Sequence, residues 1–181
     1  MIRLNTQRLL LRELSTSDVS DVFEYCKIPN VVNMVGMRLH TSIEVTNKYI
    51  THELKKNETY AIVLKENRKL IGTVSLRRQE NESKLDIRLL SCVINPKFWG
   101  NGYAPEAIKA LLKQAFEVEC IHKVLGGHYS FNQQSAALNK KLGFVYEGTL
   151  REVILHNGDL VDAIQYSMLL KDYIKASKNW E

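Results

Sequence analysis

Gly100 and Gly102 stand two residues apart within residues 95–107, which read NPKFWGNGYAPEA. A residue without a Cβ adopts positive φ freely, so the backbone N–H groups around such a pair can converge into a concave nest for an anion. Pro105 suits the first turn of a helix, and Ala107, Ile108, Leu111, Leu112, Ala115 and Phe116 follow at helical spacing. A helix start just after a glycine turn offers unpaired N–H donors and the positive end of a helix dipole, and phosphate binding is the chemistry that uses both. Two common phosphate motifs do not fit. A dinucleotide fingerprint needs Gly or Ala where Pro105 stands, and a Walker loop needs Lys-Ser/Thr where Tyr103-Ala104 stand. Plain turn chemistry is the competing account of the two glycines taken alone.

A second constellation lies further along. Asn132-Gln133-Gln134-Ser135 leads through residues 136–142 to Gly143-Phe144, which reads as a helix capped by Asn132 and stopped by a left-handed glycine. Elements must hold both constellations. An apolar strand containing Leu89, Leu90, Val93 and Ile94 feeds the glycine loop and is closed by Asn95-Pro96. Residues 123–129 form the strand before the second helix. Upstream, Leu9, Leu10, Leu11 and Glu13 give a first strand, and Ser15 or Ser17 caps a helix carrying Val19, Val22, Phe23 and Cys26 that stops near Pro29-Asn30. Val45, Tyr49, Ile50 and Leu54 mark the next helix. Residues 60–64 and 70–76 pair across Glu66-Asn67-Arg68, residues 79–84 form a charged turn, and Asn157-Gly158 closes a terminal hairpin. With no repeat and no linker, residues 1–181 are expected to form one mixed α/β domain.

Strand, glycine loop, long helix, strand and N-x-x-S…K-L-G-F together resemble the GNAT acetyltransferases, and within them the RimJ/RimL-type N-terminal acetyltransferases. The likeness runs from Thr6-x-Arg8-Leu-x-Leu-Arg12 to Glu147-Gly148 and beyond. It implies a mostly antiparallel twisted sheet, splayed between its fourth and fifth strands and flanked by helices, with acetyl-CoA as co-substrate. By the same resemblance, Cys92, Val93 and Ile94 offer backbone groups to the pantetheine arm. The pyrophosphate rests on the N–H groups of Trp99, Gly100, Asn101, Gly102, Tyr103 and Ala104. Lys97 stands where the family commonly has Gln or Arg and keeps a cation beside the phosphates. Asn132 holds the pantetheine amides, and Lys140 or Lys141 reaches the adenosine phosphates; without a ligand these are an N-cap and a solvated helix face.

The implied reaction is direct acetyl transfer from a thioester to an amine, which needs a neutral amine, a polarised carbonyl and a proton for the departing sulfur. Many relatives protonate that sulfur with a tyrosine, and this chain has Asn139 there. Rim-type relatives use the serine of N-x-x-S, which makes Ser135 the general acid, with Asn139 one turn along in support. The base is open. Glu152 shares the side-chain parity of Ile154 if its strand is regular; His128, His156 and Asp162 are alternatives, as is a water relay.

The 181 residues are 45% hydrophobic with a net charge of +5, too sparse in cation stripes for a nucleic-acid surface. Cys26, Cys92 and Cys120, odd in number and set in apolar contexts, predict buried thiols of a reducing compartment. The five histidines show no ligand spacing, so no metal is implied. No membrane-spanning run appears, and a cytoplasmic location is expected. The acceptor reads as a protein or peptide N-terminus; a polyamine or other small amine, and a non-catalytic CoA-binding module, are the rivals. The apolar run 163–170 is a candidate homodimer surface, against an ordinary core strand.

Overall fold

The computed structural model describes residues 3–80, 85–156 and 158–180. The chain divides into two compact units, Met1–Arg77 with Ser91–Leu111, and Arg78–Leu90 with Leu112–Glu181.

In the first unit, β1 (Leu4–Asn5) and β2 (Leu9–Glu13) form a short hairpin, and β2 runs antiparallel to β3 (Thr59–Leu64) from Leu9↔Leu64 to Glu13↔Tyr60. All six residues of β3 are buried, as expected of an unbroken apolar strand covered on both faces. β3 turns through Arg68, at φ 63, into β4 (Leu70–Gln79). The second half of β5 (Ile87–Ile94) completes this ladder, with Asn95 N–H donating to the Ile71 carbonyl at 2.8 Å. Gly72 permits the approach. A Cβ there would come within 2.1 Å of the Val93 carbonyl oxygen.

Ser15 caps a 3-10 turn, Thr16–Asp18, and Asp18 receives both terminal nitrogens of Arg12 at 2.7 and 2.8 Å. α1 (Val19–Cys26) follows and ends three residues short of Pro29. The helix thus stops near Pro29 as the sequence predicts, and Pro29 itself opens α2 (Pro29–Met34), where its missing N–H is harmless. α3 (Ile43–Lys56) is capped by Ser42 and ends at Asn57, whose φ of 54 is the left-handed stop. Val22, Tyr25 and Cys26 of α1, Ile50 of α3 and Val63 of β3 share one core. α4 (Tyr103–Lys113) starts directly after Gly102.

The second unit takes up α4 at Leu112 and the first half of β5. α4 widens into a π turn, Gln114–Val118, and the chain leaves it through Cys120 at φ 53. β5 pairs in parallel with β6 (Lys123–Tyr129), from Ile87↔Lys123 to Leu89↔Leu125. α5 (Gln133–Leu142) leads to β7 (Val145–His156) and β8 (Asp159–Leu169). β8 lies between β6 and β7 and is antiparallel to both. Its edges are therefore occupied, and Tyr166, Ser167 and Met168 are buried. The run 163–170 is thus an inner strand, buried at three residues and exposed at Gln165, and its last residue, Leu170, already begins α6 (Leu170–Ser177), which the sequence reading missed.

His156 pairs with Asp159 across a two-residue connection in which Gly158 has φ 93; Asn157 of the expected turn lies outside the described residues, as do residues 81–84 of the charged turn. Cys26 is buried and Cys92 half-buried, and burial pushes both thiols up to about 12. Cys120 corrects the expectation, because it is exposed. Among the described residues no helix is long and apolar enough to cross a membrane.

Candidate active site

The glycine loop belongs to the first unit. Asn95 Oδ1 accepts from the Lys97 N–H at 3.1 Å and opens a 3-10 turn, Pro96–Phe98. The Trp99 indole N–H donates to the Ile94 carbonyl at 2.7 Å, and the Asn101 amide donates to the Phe98 and Trp99 carbonyls at 3.1 and 3.0 Å. Gly100 and Gly102 then take φ of 79 and 76, the sign the sequence predicts. Trp99 N–H is engaged by the Pro96 carbonyl at 3.1 Å, so the donors free to face an anion start at Gly100. No atom lies within 4 Å of where a Gly100 Cβ would stand, so this side of the loop is open to a ligand. Cys92, Val93 and Ile94 end β5 immediately before the loop, and Tyr103 and Ala104 open α4 with the unpaired N–H groups of a first helical turn.

Lys97 is turned elsewhere. Its ammonium pairs with Glu24, which also receives Lys69 at 2.8 Å. Hydrogen bonds from Lys69 and then Lys97 hold the Glu24 carboxyl down at about 2. The cation at the loop is Arg8. One terminal nitrogen donates to the Asn101 carbonyl at 2.8 Å, and Nε donates to Glu106 Oε2 at 2.7 Å. The guanidinium lies 4.5 Å from the centroid of the Tyr103 ring. Glu106 Oε1 also accepts from the Arg8 N–H at 2.8 Å and the Thr6 hydroxyl at 2.5 Å. Burial works to raise the Glu106 carboxyl, but the bonds from Thr6 and Arg8 together bring it below its ordinary value. Sequence reasoning did not place Arg8 here. No signal in a single sequence joins Arg8 to Asn101 and Glu106, 93 and 98 positions away.

The second unit holds the other candidates. Asn132 is buried, and its Oδ1 accepts from the Ser135 N–H at 3.0 Å. It is thus the N-cap of α5, with Ser135 half-buried at the third helical position. Asn139, one turn later, is buried and directed at β6: its Oδ1 lies 3.1 Å from where a Gly126 Cβ would stand. Gly143 ends the helix at φ 87. Lys140 and Lys141 occupy its last turn and line a cavity of about 340 Å³ with Asp172, Lys175 and Trp180 near the C-terminus.

Of the base candidates, Glu152 loses its parity argument. The β7 register shifts between Leu150 and Ile154, and Glu152 sits inside that irregularity at φ 53, exposed, with its N–H donating to Asp162 Oδ1 at 2.9 Å. A bulge of this kind breaks the two-residue alternation that linked it to Ile154. The same bond engages Asp162. His156 stacks on Phe131 with centroids 4.3 Å apart. His128 differs from all three. Its Nδ1 bonds the Tyr129 carbonyl at 2.9 Å, its ring stacks on Tyr166 at 5.8 Å, and its Nε2 is buried with no hydrogen-bond partner.

Known proteins are similar to this chain in sequence and share its fold. The chain is 26% identical over 173 residues to the uncharacterized N-acetyltransferase YnaD of Bacillus subtilis (strain 168), covering 95% of this chain and 99% of that protein. An acetyltransferase of the GNAT family from Bacillus anthracis superposes with a TM-score of 0.85 at 24% identity, over 94% of this chain and 99% of the other. Two further solved structures share the fold with a TM-score of 0.79. One is ribosomal-protein-S5-alanine acetyltransferase from Vibrio fischeri, at 20% identity over 96% and 99% of the two chains. The other is spermidine N-acetyltransferase from Vibrio cholerae in complex with CoA and spermine, at 24% identity over 93% and 99%. The family profile described as acetyltransferase (GNAT) domain matches residues 8–145, and on that match the chain belongs to the GNAT acetyltransferases.

Proposed function

We propose that this chain transfers an acetyl group from acetyl-CoA to the free α-amine of a protein or peptide N-terminus. Acetyl-CoA supplies an acetyl group activated as a thioester. The N–H groups from Gly100 into the start of α4 suit its diphosphate, because positive φ at Gly100 and Gly102 leaves these donors without protein acceptors. The backbone of Cys92, Val93 and Ile94 serves the pantetheine arm. On α5, Asn132 fixes the first turn and Ser135 gives its hydroxyl proton to the departing sulfur.

The observation that carries the choice of acceptor is the make-up of α5. A serine stands at its third position, and a buried asparagine, not a phenol, stands at Asn139. Among the carboxylates considered as bases, the Glu152 side chain is exposed on a bulge and Asp162 is bonded to backbone. An α-amine suits such a site because its unperturbed pKa near 8 lies roughly two units or more below that of a lysine side chain. It arrives partly neutral at cellular pH.

A polyamine is the second reading, favoured by the likeness to spermidine N-acetyltransferase. A competitive assay separates the two. Peptides with free or blocked N-termini are offered beside spermidine, and CoA release is followed at several pH values. Turnover on free N-termini supports the proposal; turnover of spermidine with none on any free N-terminus transfers it to polyamines.

A further inference from the structure

His128 is half-buried, and its Nε2 is a buried ring nitrogen with no hydrogen-bond partner beside a helix that carries Ser135. Its tautomer is set by the backbone. The Tyr129 carbonyl can only accept, so the 2.9 Å bond to Nδ1 places the ring proton there and leaves the lone pair on Nε2. That lone pair is buried and has no partner. A buried acceptor without a donor is costly and uncommon in folded chains, which marks it as a group awaiting one.

The register of α5 over β6 points to the Ser135 hydroxyl, although no donor is bonded to Nε2 in this structure. The chain reverses between the two elements, through the bond from Asn132 N–H to the Tyr129 carbonyl at 2.8 Å. Asn139 then stands over Gly126. Four residues back along a helix is about 6 Å, and two residues forward along a strand is about 6.6 Å. Those steps lead from Asn139 to Ser135 and from Gly126 to His128. Gly126 and His128 share one face of β6, the face that carries Tyr166, which is paired with Gly126 and stacked on His128. Ser135 is therefore carried toward His128.

We propose that His128 is the proton-exchanging partner of Ser135. The inference rests on Ser135 being the proton donor to sulfur. As the acceptor nitrogen forms its bond to the acetyl carbon it loses one proton; Ser135 Oγ takes that proton while passing its own to His128 Nε2. As the carbon–sulfur bond breaks, Nε2 returns a proton to Oγ, and Oγ passes one to sulfur. One proton moves from nitrogen to sulfur, and both side chains end as they began. Nε2 needs no contact with the acceptor, which agrees with its burial. His128 is a positioning residue acting through Ser135, and the pair accounts for a site with no carboxylate base.

Two measurements test this. In the ligand-free protein, two-bond 1H–15N correlation spectra should show His128 as the Nδ1–H tautomer; an Nε2–H tautomer overturns the proposal without any enzyme assay. In kinetics, His128→Gln should lower kcat on the order of 10- to 100-fold with the KM for acetyl-CoA changed less than about twofold. His128→Phe, which keeps a ring against Tyr166, should be equally slow. The double variant Ser135→Ala/His128→Gln should be no slower than Ser135→Ala alone, because residues acting as a unit are not additive. Recovery in His128→Phe, or losses that multiply, would mean that His128 only packs. A loss in Ser135→Ala with none in His128→Gln overturns this inference alone; no loss in Ser135→Ala removes the reading beneath it.

Discussion

The glycine loop and helix α5 are built in opposite ways. α5 carries its own instructions: Asn132 caps one end, Gly143 stops the other, and both act within three residues of the helix. The loop takes its turns from Gly100 and Gly102 but is held by residues far away in sequence. Arg8 reaches Asn101 and Glu106 across 93 and 98 positions, and Thr6 reaches Glu106 across 100. A locally specified element fails by fraying, whereas a remotely braced loop fails by losing its ligand geometry while the fold survives.

The largest effect that would sharpen this contrast is expected in the loop. Gly100→Asp or Gly102→Asp should reduce acetyl-CoA affinity more than about 100-fold, since a carboxylate beside an anion nest repels phosphate and a Cβ at positive φ strains the turn. Isothermal calorimetry reads it, and unchanged affinity in both variants would remove the loop from the ligand. Next in size is Ser135→Ala on α5, expected to lower kcat on the order of 10- to 1000-fold with acetyl-CoA affinity retained. If Asn139→Ala gives the larger loss, the proton donor has been assigned to the wrong turn of the helix.

Two smaller effects separate remote bracing from local capping. Arg8→Ala should raise the KM for acetyl-CoA by about tenfold while the melting temperature moves little, because its partly exposed ion pair with Glu106 adds little to stability. Arg8→Lys should not restore the KM, since an ammonium cannot bond Asn101 and Glu106 in the fork that the guanidinium makes over Tyr103. Asn132→Ala should do the reverse in stability terms, costing about 1 kcal/mol as a lost N-cap and lowering the melting temperature by a few degrees. Equal melting temperatures for Arg8→Ala and Asn132→Ala would break the distinction.

That same distinction explains what could be read in advance. The bounds of β6, the two ends of α5 and the signs of φ at Gly100 and Gly102 follow from near neighbours, and the structure has them as expected. α2 was missed because the ring of Pro29, read as the end of one helix, also suits the start of the next. Glu152 misled because alternation assumes a regular strand, and the irregularity between Leu150 and Ile154 adds two residues on β7 without leaving a mark in residue types. Lys97 was placed by the family's Gln or Arg position; its pairing with Glu24 of α1 depends on packing that the sequence does not show. Arg8 was visible as a residue but not as a neighbour of Asn101, since nothing in a single sequence joins positions so far apart. His128 was weighed as a base on its type; its orphaned Nε2 depends on strand register and packing, which only the folded chain provides.

The contrast among the three cysteines has a practical consequence. Cys26 and Cys92 are held as protonated thiols by burial, whereas Cys120 stands exposed just past the π turn that follows α4. A maleimide fluorophore at neutral pH should therefore attach once, at Cys120, because thiolate character and access select the site. Intact mass should rise by one label and not by two or three. The native chain thus carries a single optical reporter position in its second unit, beyond the last turn of the helix whose first turn follows Gly102.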